Sequence, residues 1–160
     1  MKTKVLFVCL GNICRSPMAE AIFNGKINRE GWQSRYKADS CGTSDYHIGE
    51  GPDARAVSCV NRNGVPIDHR ARQLQQDDLH HYDFILAMDK ANYQDILKIA
   101  GPGKHREKIL LVRSFEDSMW DEVPDPYHGD ERGFQEVFDI LDRSIENFVS
   151  FLGKKKTLSA

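Results

Sequence analysis

The sequence predicts an α/β fold in three layers, in which helices cover both faces of a parallel sheet. Short, continuous apolar runs recur along the chain and have the length of strands that are buried on both faces. Segments with apolar residues at helical spacing lie between these runs, as in chains that alternate strand and helix. In sheets of this kind ligands bind beyond the carboxyl ends of the strands.

The first strand and the first helix enclose a tight polar turn. Residues 5–8 are four apolar residues, which predict a buried strand. Ser16 suits the N-cap of the following helix, and Pro17 suits its first position because the missing N–H would be unpaired there. We expect this helix to include residues 18–23, and residues 25–35 to form a loop or the end of the helix.

The middle of the chain continues the alternation of strand and helix. The second strand, residues 36–43, runs into a turn, and the Gly and Pro content of residues 45–52 predicts a loop. Asp53 begins the next helix, which ends at Gly64. Residues 77–81 are expected to form one short helical turn.

Two further strands complete the predicted sheet. They are residues 84–88 and 109–112, each a short apolar run. Asp89 caps the helix between them, which ends at Gly101. Residues 114–128 are predicted to form a loop.

The last helix is predicted from a regular apolar stripe between Phe134 and Leu152. No repeat or change in composition divides the chain, so we expect a single domain of residues 1–153, which is large enough to bury its own core. A short basic tail, residues 154–160, follows it. We expect a frayed, solvated end there rather than a patch that binds a membrane.

The composition indicates an ordinary globular protein, with 40% hydrophobic and 29% charged residues and a net charge of −2. Because no polybasic block lies inside the fold, a nucleic-acid partner is not expected. The apolar run before Cys9 is too short for an export signal or a membrane span. The four cysteines form no Cys-x-x-Cys pair, which favours reduced thiols in the cytoplasm. We expect a monomer with no membrane association.

The turn formed by residues 9–16 carries the clearest chemical pattern. A strand, a Gly-Asn turn and a helix start aim backbone N–H groups and the positive end of a helix dipole at one point, which forms a cradle for an anion. Cys9 lies at the mouth of this cradle, and the adjacent Arg15 and helix N-terminus favour its thiolate near neutral pH. Arg15 can hold a tetrahedral oxyanion with two parallel hydrogen bonds. These residues predict nucleophilic attack on a phosphate ester, although a Cys at a strand end is more often a small buried hydrophobe.

The string Cys-Leu-Gly-Asn-Ile-Cys-Arg-Ser at residues 9–16 resembles the signature of the low-molecular-weight protein tyrosine phosphatases. Further matches extend the resemblance over nearly the whole chain. It implies a four-stranded parallel sheet flanked by helices, Cys9 as the nucleophile, a phosphocysteine intermediate, phosphotyrosine proteins as substrates, and neither a metal nor another cofactor. We call residues 9–16 the phosphate loop. Besides Cys9 and Arg15, the resemblance assigns to it Leu10, Gly11, Asn12, Ile13, Cys14 and Ser16.

Such an enzyme needs an acid to protonate the leaving oxygen, because an alkoxide or phenoxide departs poorly from phosphorus. The family has its general acid in an Asp-Pro-Tyr motif near the C-terminus. The motif stands here as Asp125-Pro126-Tyr127, so the resemblance implies that Asp125 is the acid. Without the resemblance, an Asp-Pro pair in a loop would predict only a turn.

Other residues match supporting positions of the family. Ser16 would donate a hydrogen bond to the thiolate and help it leave, and Asn12 would hold the loop in a strained shape. Ser40 and His69 would tether Asn12 from neighbouring segments, although His69 by itself would indicate only a surface or core histidine. Cys14 would form a reversible disulfide with the nucleophile and protect it from irreversible oxidation.

Two aromatic residues, Tyr46 and Tyr127, match the walls of the family's cleft, which stack on the ring of the substrate. His128 stands where many members carry a second Tyr. This departure makes the far wall of the cleft more polar.

Three other functions fit parts of the pattern. An arsenate reductase has the same fold and loop but needs a third, mobile cysteine, and no cysteine follows Cys59. A protein-arginine phosphatase carries Thr where this chain has Ile13. A catalytically inactive phosphate-binding module would not need the intact set of Cys9, Arg15 and Asp125.

Overall fold

Parallel strands form one sheet in a computed structural model, which describes residues 1–117 and 121–159, with side chains through residue 155. Within these residues the sheet has four strands, in the order β2-β1-β3-β4, which confirms the predicted α/β architecture. Because β1 pairs with both β2 and β3, it lies in the middle of the sheet. The strands are β1 (Thr3–Cys9), β2 (Tyr36–Gly42), β3 (Phe84–Ala87) and β4 (Ile109–Leu111).

The described residues also form five α-helices. They are α1 (Arg15–Glu30), α2 (Ala54–Arg62), α3 (Asp78–His81), α4 (Lys90–Ala100) and α5 (Glu131–Ser159). Two 3₁₀ helices, Lys104–Lys108 and Val112–Phe115, flank β4. None of the helices in the described part of the chain is both long and apolar enough to cross a bilayer.

The three layers follow from the alternation of side chains along the strands. Phe7 of β1 packs on one face against Phe23 of α1, with ring centroids 5.7 Å apart, and Phe23 packs against Phe148 of α5 at 5.8 Å. Leu6 faces the other side and belongs to a second cluster with Ile96 of α4. Both faces of the sheet are therefore covered by helices, as the continuous apolar runs predict.

Two predicted helix caps are present. The side chain of Asp53 accepts a hydrogen bond from the backbone N–H of Arg55 at 2.9 Å, and α2 follows it. The side chain of Asp89 accepts one from the N–H of Asn92 at 2.7 Å at the start of α4. These caps depend only on neighbouring residues, so a local pattern is sufficient to predict them.

Helix α1 begins at Arg15, and the prediction that Ser16 is its N-cap was wrong. The N-cap residue is Cys14, whose side chain makes no capping hydrogen bond. The hydroxyl of Ser16 is occupied elsewhere, because it lies 3.0 Å from Cys9 Sγ and accepts a hydrogen bond from the Asn12 amide at 2.8 Å. A cap preference describes an isolated helix end and does not include these contacts across the loop.

The end of helix α1, residues 25–30, occupies the first part of the segment predicted to be a loop or the end of the helix. Lys26 is buried and its Nζ lies 2.8 Å from Asp142 and 2.7 Å from Glu146, both on α5. These ion pairs join α1 to α5 and favour continuation of the helix. It ends where Gly31 adopts a left-handed conformation with φ of 74°.

Residues 154–159, which the sequence assigns to a frayed tail, continue α5. The ammonium group of Lys155 lies 5.3 Å from the ring centroid of Phe84, so the helix still contacts the sheet at this point. Ala160 lies outside the described residues, as do residues 118–120 of the predicted loop before α5. The division between the domain and its tail stays a prediction.

Candidate active site

The phosphate loop connects the end of β1 to the start of α1 and surrounds the thiol of Cys9. Cys9 Sγ lies 3.0 Å from Ser16 Oγ and accepts a hydrogen bond from the backbone N–H of Asn12 at 3.3 Å. The side chain is buried, and α1 begins inside the loop. A hydroxyl, an amide and a helix N-terminus therefore favour negative charge on the sulfur, the form in which a thiol is a nucleophile.

Asn12 holds the loop through four side-chain hydrogen bonds. Its amide Nδ2 donates to Ser16 Oγ at 2.8 Å and to Ser40 Oγ at 3.1 Å. Its Oδ1 accepts from the backbone N–H of Arg72 at 3.0 Å and from His69 Nε2 at 2.7 Å. Asn12 has a φ of 59°, the one positive value of a non-glycine residue in the described chain. Such a backbone costs roughly 1–3 kcal/mol and persists only where its surroundings hold it.

A second group of side chains contacts Ser40 and His69, the two residues whose side chains bind Asn12. Glu20 Oε1 accepts from Ser40 Oγ at 2.7 Å and lies 3.2 Å from His69 Nδ1. Asp39 lies 3.7 Å from the same nitrogen, and its other oxygen accepts from Arg72 Nε at 3.1 Å. In the described residues Glu20, Asp39 and His69 could together hold a metal ion, since one ligand atom of each lies within 4.8 Å of the others. Glu20 and His69 are already engaged with Ser40, with Asn12 and with each other, and the guanidinium of Arg72 beside Asp39 would repel a cation.

The end of β2 approaches the backbone of the phosphate loop very closely. A Cβ atom on Gly42 would lie 2.6 Å from the carbonyl oxygen of Leu10, so only glycine fits at this position. The N–H of Thr43 donates to the carbonyl of Cys9 at 2.9 Å, and the N–H of Ser44 donates to that of Leu10 at 3.0 Å. These bonds engage two carbonyls of the loop and hold its first residues against the end of β2.

Arg15 is buried at the start of α1 and connects three parts of the site. Its Nη1 donates to Asp89 Oδ2 at 2.7 Å and to the carbonyl of Val123 at 3.0 Å, while its Nη2 lies 3.7 Å from Asp125 Oδ2. Burial opposes the charge, but Cys9 and the two carboxylates outweigh it and raise the pKa of Arg15. The guanidinium is therefore a permanent cation beside the thiol.

A cavity of about 240 Å³ opens above the thiol. Asp125 lies at its edge with a side chain that is 45% exposed, and its Oδ1 accepts from the N–H of Tyr127 at 3.1 Å. The cavity is lined by Cys9, Leu10, Gly11, Ile13, Cys14, Arg15, Tyr46, His47, Asp125, Tyr127 and His128. It brings the predicted nucleophile, cation and acid together with both predicted walls.

Two histidines accompany the tyrosines at the rim of the cavity. His47 lies 6.3 Å from Tyr127 between ring centroids, and its Nδ1 is 2.9 Å from Glu50 Oε2. His128 packs edge-on against Tyr127 at 5.0 Å. Tyr46 is 70% exposed. The rings lie at the mouth, where a group that projects from the cradle would pass between them.

Cys14, the second cysteine of the phosphate loop, is buried. Burial raises the pKa of the Cys14 thiol well above its usual range, and the negative charges of Asp53 and Cys9 add to this effect. Cys14 is thus a neutral thiol at physiological pH.

Comparison with known proteins identifies the family. The family model for low molecular weight phosphotyrosine protein phosphatases matches residues 4–158. The chain belongs to this family. The human low molecular weight phosphotyrosine protein phosphatase is 39% identical over 146 residues, which are 91% of this chain and 92% of the human protein.

Solved structures agree with this assignment. A protein tyrosine phosphatase from Entamoeba histolytica, with Hepes in its active site, matches with a TM-score of 0.92 and 39% identity over 97% of this chain and 99% of that chain. The YwlE arginine phosphatase matches with a TM-score of 0.88 and 26% identity over 98% and 99% of the two chains. That structure is of a Cys-to-Ser mutant with a phosphorylated active-site serine.

Membership of the low molecular weight phosphotyrosine protein phosphatase family makes the chain an enzyme of the hydrolase class, as its sequence predicts. The sequence did not predict the contacts of Glu20, Arg72 and Asp89 with the site. Glu20 follows Ser16 by one helical turn and so shares its face of α1, which is a signal that could have indicated it. Arg72 lies in a connector without a motif, and Asp89 was predicted only as a cap.

Proposed function

We propose that the chain hydrolyses phosphotyrosine in proteins, and other aryl phosphate monoesters, through a phosphocysteine intermediate. The observation that carries the proposal is the environment of Cys9 Sγ. The sulfur contacts Ser16 Oγ and the N–H of Asn12, lies near the start of α1, and lines an open cavity. Arg15 lies on one side of that cavity and Asp125 at its edge. This arrangement supplies a nucleophile, a cation for the phosphoryl oxygens and an acid.

In the first step the thiolate of Cys9 attacks phosphorus, an S–P bond forms and the bond from phosphorus to the ester oxygen breaks. Asp125 begins as a carboxylic acid and gives its proton to the departing phenolate oxygen. Arg15 and the N–H groups of the phosphate loop bind the three phosphoryl oxygens and so position the phosphoryl group and stabilise the charge spread over it in the transition state.

In the second step water attacks the phosphocysteine and Asp125, now a carboxylate, accepts its proton. The S–P bond breaks, inorganic phosphate leaves and the thiolate of Cys9 is regenerated. The hydroxyl of Ser16, 3.0 Å from the sulfur, stabilises the charge that returns to it. Asn12, with Ser40 and His69, maintains the shape of the loop in both steps.

The cavity favours an aryl ester over an alkyl one. A phenyl ring carries the phosphate to the floor of the cradle and can stack between Tyr46 and Tyr127, at about 0.5–1.5 kcal/mol for each aromatic contact. A phosphoserine offers one methylene group, which stacks on neither ring. The relation to an arginine phosphatase supports phosphoarginine as a second candidate. Ile13, which lines the cavity, favours an apolar ring over a guanidinium.

Regulation by oxidation fits the same loop. Peroxide would oxidise the thiolate of Cys9 to a sulfenic acid, which condenses with the neutral thiol of Cys14 to give a disulfide and water. A thiol reductant would restore both cysteines. The cytoplasm is the compartment in which such a pair is kept reduced, and all four cysteines of the chain are free. We assign the enzyme there, as a monomer that acts on phosphoproteins.

The test is a comparison of kcat/KM for three peptides that differ only in the phosphorylated residue. We expect phosphotyrosine to be cleaved at least 10-fold faster than phosphoserine or phosphoarginine. Cys9→Ser is the control and should be inactive while it still binds phosphate. Parity between phosphoserine and phosphotyrosine, or a lead for phosphoarginine, would refute the tyrosine assignment, and turnover by Cys9→Ser would refute the covalent mechanism.

A further inference from the structure

Arg55, in the first turn of α2, binds the backbone next to the proposed acid. Its Nη2 donates to the carbonyl of Tyr127 at 2.9 Å, and its Nη1 donates to the carbonyl of Gly129 at 3.0 Å. We call residues 124–130, which include Asp125, the acid segment. One guanidinium thus binds this segment at two points, two and four residues beyond the acid.

The same guanidinium is connected to the phosphate loop. Arg55 Nε donates to Asp53 Oδ1 and its Nη2 to Asp53 Oδ2, each at 3.0 Å, so the two side chains form a two-pronged ion pair. These bonds lower the pKa of Asp53 and keep it ionised. The backbone N–H of Asp53 donates to the carbonyl of Ile13 at 2.8 Å. The carbon Cζ of Arg55 also lies 4.7 Å from the ring centroid of Phe134, which is within the range of a cation–π contact.

The acid segment makes few other hydrogen bonds to the rest of the chain. In the described part of the chain, the other hydrogen bonds of residues 124–130 are local and stay within residues 121–134. The two from Arg55 are the ones that reach a distant segment. Asp125 itself is half-exposed, and its distance from Arg15 is 3.7 Å, longer than a hydrogen bond. Before the acid, Val123 is held by its N–H, which donates to the carbonyl of Met88 at 2.8 Å, and by its carbonyl, which accepts from Arg15 at 3.0 Å. Beyond the acid, the position of the segment depends on the two contacts of Arg55.

We propose that Arg55 is a positioning residue that fixes the acid segment relative to the phosphate loop, so that Asp125 reaches the leaving oxygen. The proposal rests on the proposed function of Asp125 as the acid. Proton transfer needs heavy atoms within hydrogen-bond reach, and a misplacement of about 1 Å can cost 10²-fold in rate. Lysine cannot replace Arg55, because a single ammonium cannot bind two carbonyls and both oxygens of a carboxylate together.

The experiment measures kcat/KM for Arg55→Ala over a series of aryl phosphates whose leaving groups differ in acidity. Phenyl phosphate, a poor leaving group, should lose about 10- to 100-fold, while esters of very acidic phenols, which need no proton, should lose less than about threefold. Arg62→Ala is the matched control. Arg62 lies on the same helix and donates a hydrogen bond to the hydroxyl of Ser58 at 3.2 Å, and its replacement should leave the whole series unchanged.

Asp125→Ala separates this proposal from the function on which it rests. Asp125→Ala should show the same dependence on the leaving group, and adding Arg55→Ala to it should cost less than about twofold more. If Asp125→Ala loses equally across the series, the function assigned to Asp125 is wrong. Two results would show that Arg55 does not position the acid, provided that Asp125→Ala behaves as expected. One is an equal loss of kcat/KM for all esters in Arg55→Ala. The other is a double variant whose loss of kcat/KM is the full product of the two single losses.

Arg55→Lys is a second, more conservative variant, which keeps the proposal testable if Arg55→Ala does not fold. It keeps the charge of Arg55 and should give a loss between those of wild type and Arg55→Ala, again larger for phenyl phosphate than for activated esters. Thermal denaturation of each variant checks its folding. If folded Arg55→Lys has the kcat/KM values of the wild type for all the aryl phosphates, then a positive charge alone is sufficient. That result would overturn the argument from the two carbonyl contacts.

Discussion

Replacement of Asn12 tests how the phosphate loop is held. Asn12→Ala removes the four side-chain hydrogen bonds to Ser16, Ser40, His69 and Arg72. At a net contribution of about 1 kcal/mol each, their loss amounts to about 4 kcal/mol. Alanine at a φ of 59° adds about 1 kcal/mol of backbone strain. The sum of about 5 kcal/mol is a large part of the 5–15 kcal/mol by which domains are typically stable.

Urea denaturation of Asn12→Ala, Asn12→Gly and Asn92→Ala separates these contributions. Glycine adopts the positive φ without strain, so Asn12→Gly should unfold with a free energy about 1 kcal/mol higher than that of Asn12→Ala. Asn92 is the control, because it is equally buried but helical, and its Oδ1 has no hydrogen-bond partner. Its replacement should cost less than half as much as that of Asn12.

The same Asn12 variants should lose activity, because relaxation of the loop moves the N–H that contacts Cys9 Sγ. We expect kcat/KM for an aryl phosphate to fall at least 10-fold in Asn12→Ala, whereas Asn92→Ala should be unchanged. A loss of less than about 1 kcal/mol in the free energy of unfolding of Asn12→Ala would refute the reasoning, because four buried hydrogen bonds cannot disappear at that cost.

Two further predictions concern oxidation and pH. Mild peroxide should inactivate the wild type reversibly with a Cys9–Cys14 disulfide visible by mass spectrometry, whereas Cys14→Ser should be inactivated irreversibly; absence of the disulfide would leave Cys14 as a packing residue. Hydrogen bonds from Lys26, and the charges of Lys26 and Arg29, hold the pKa of Glu146 below its usual 4.5 in the folded protein. A lowered carboxyl pKa stabilises the fold above pH 4.5 and the effect is lost as the pH falls through the lowered value, so urea midpoints should drop less between pH 6 and 3 in Glu146→Gln than in wild type. Equal drops in the urea midpoint of the two proteins would show that this ion pair does not contribute to the pH dependence of stability.

The sequence by itself determined the features that depend on neighbouring residues. The apolar runs predict the strands and the three layers because burial on both faces needs continuous apolar residues. The phosphate loop lies within eight consecutive positions, so Cys9 and Arg15 were apparent together. Asp53 and Asp89 were found as caps because a cap bonds to an N–H two or three residues away.

Tertiary structure alone decided how these parts are held together. His69 and Arg72 reach Asn12 across 57 and 60 residues, and Arg55 reaches Tyr127 across 72. Such hydrogen bonds join segments that only the folded sheet brings near each other, and a polar side chain on a connector looks the same in the sequence with or without a distant partner. Ser16 illustrates the difference, because its local pattern predicts a cap while the fold gives its hydroxyl to the thiol of Cys9. Local propensity decides which segments are helix or strand, whereas the partner of each buried polar group depends on packing across the whole chain.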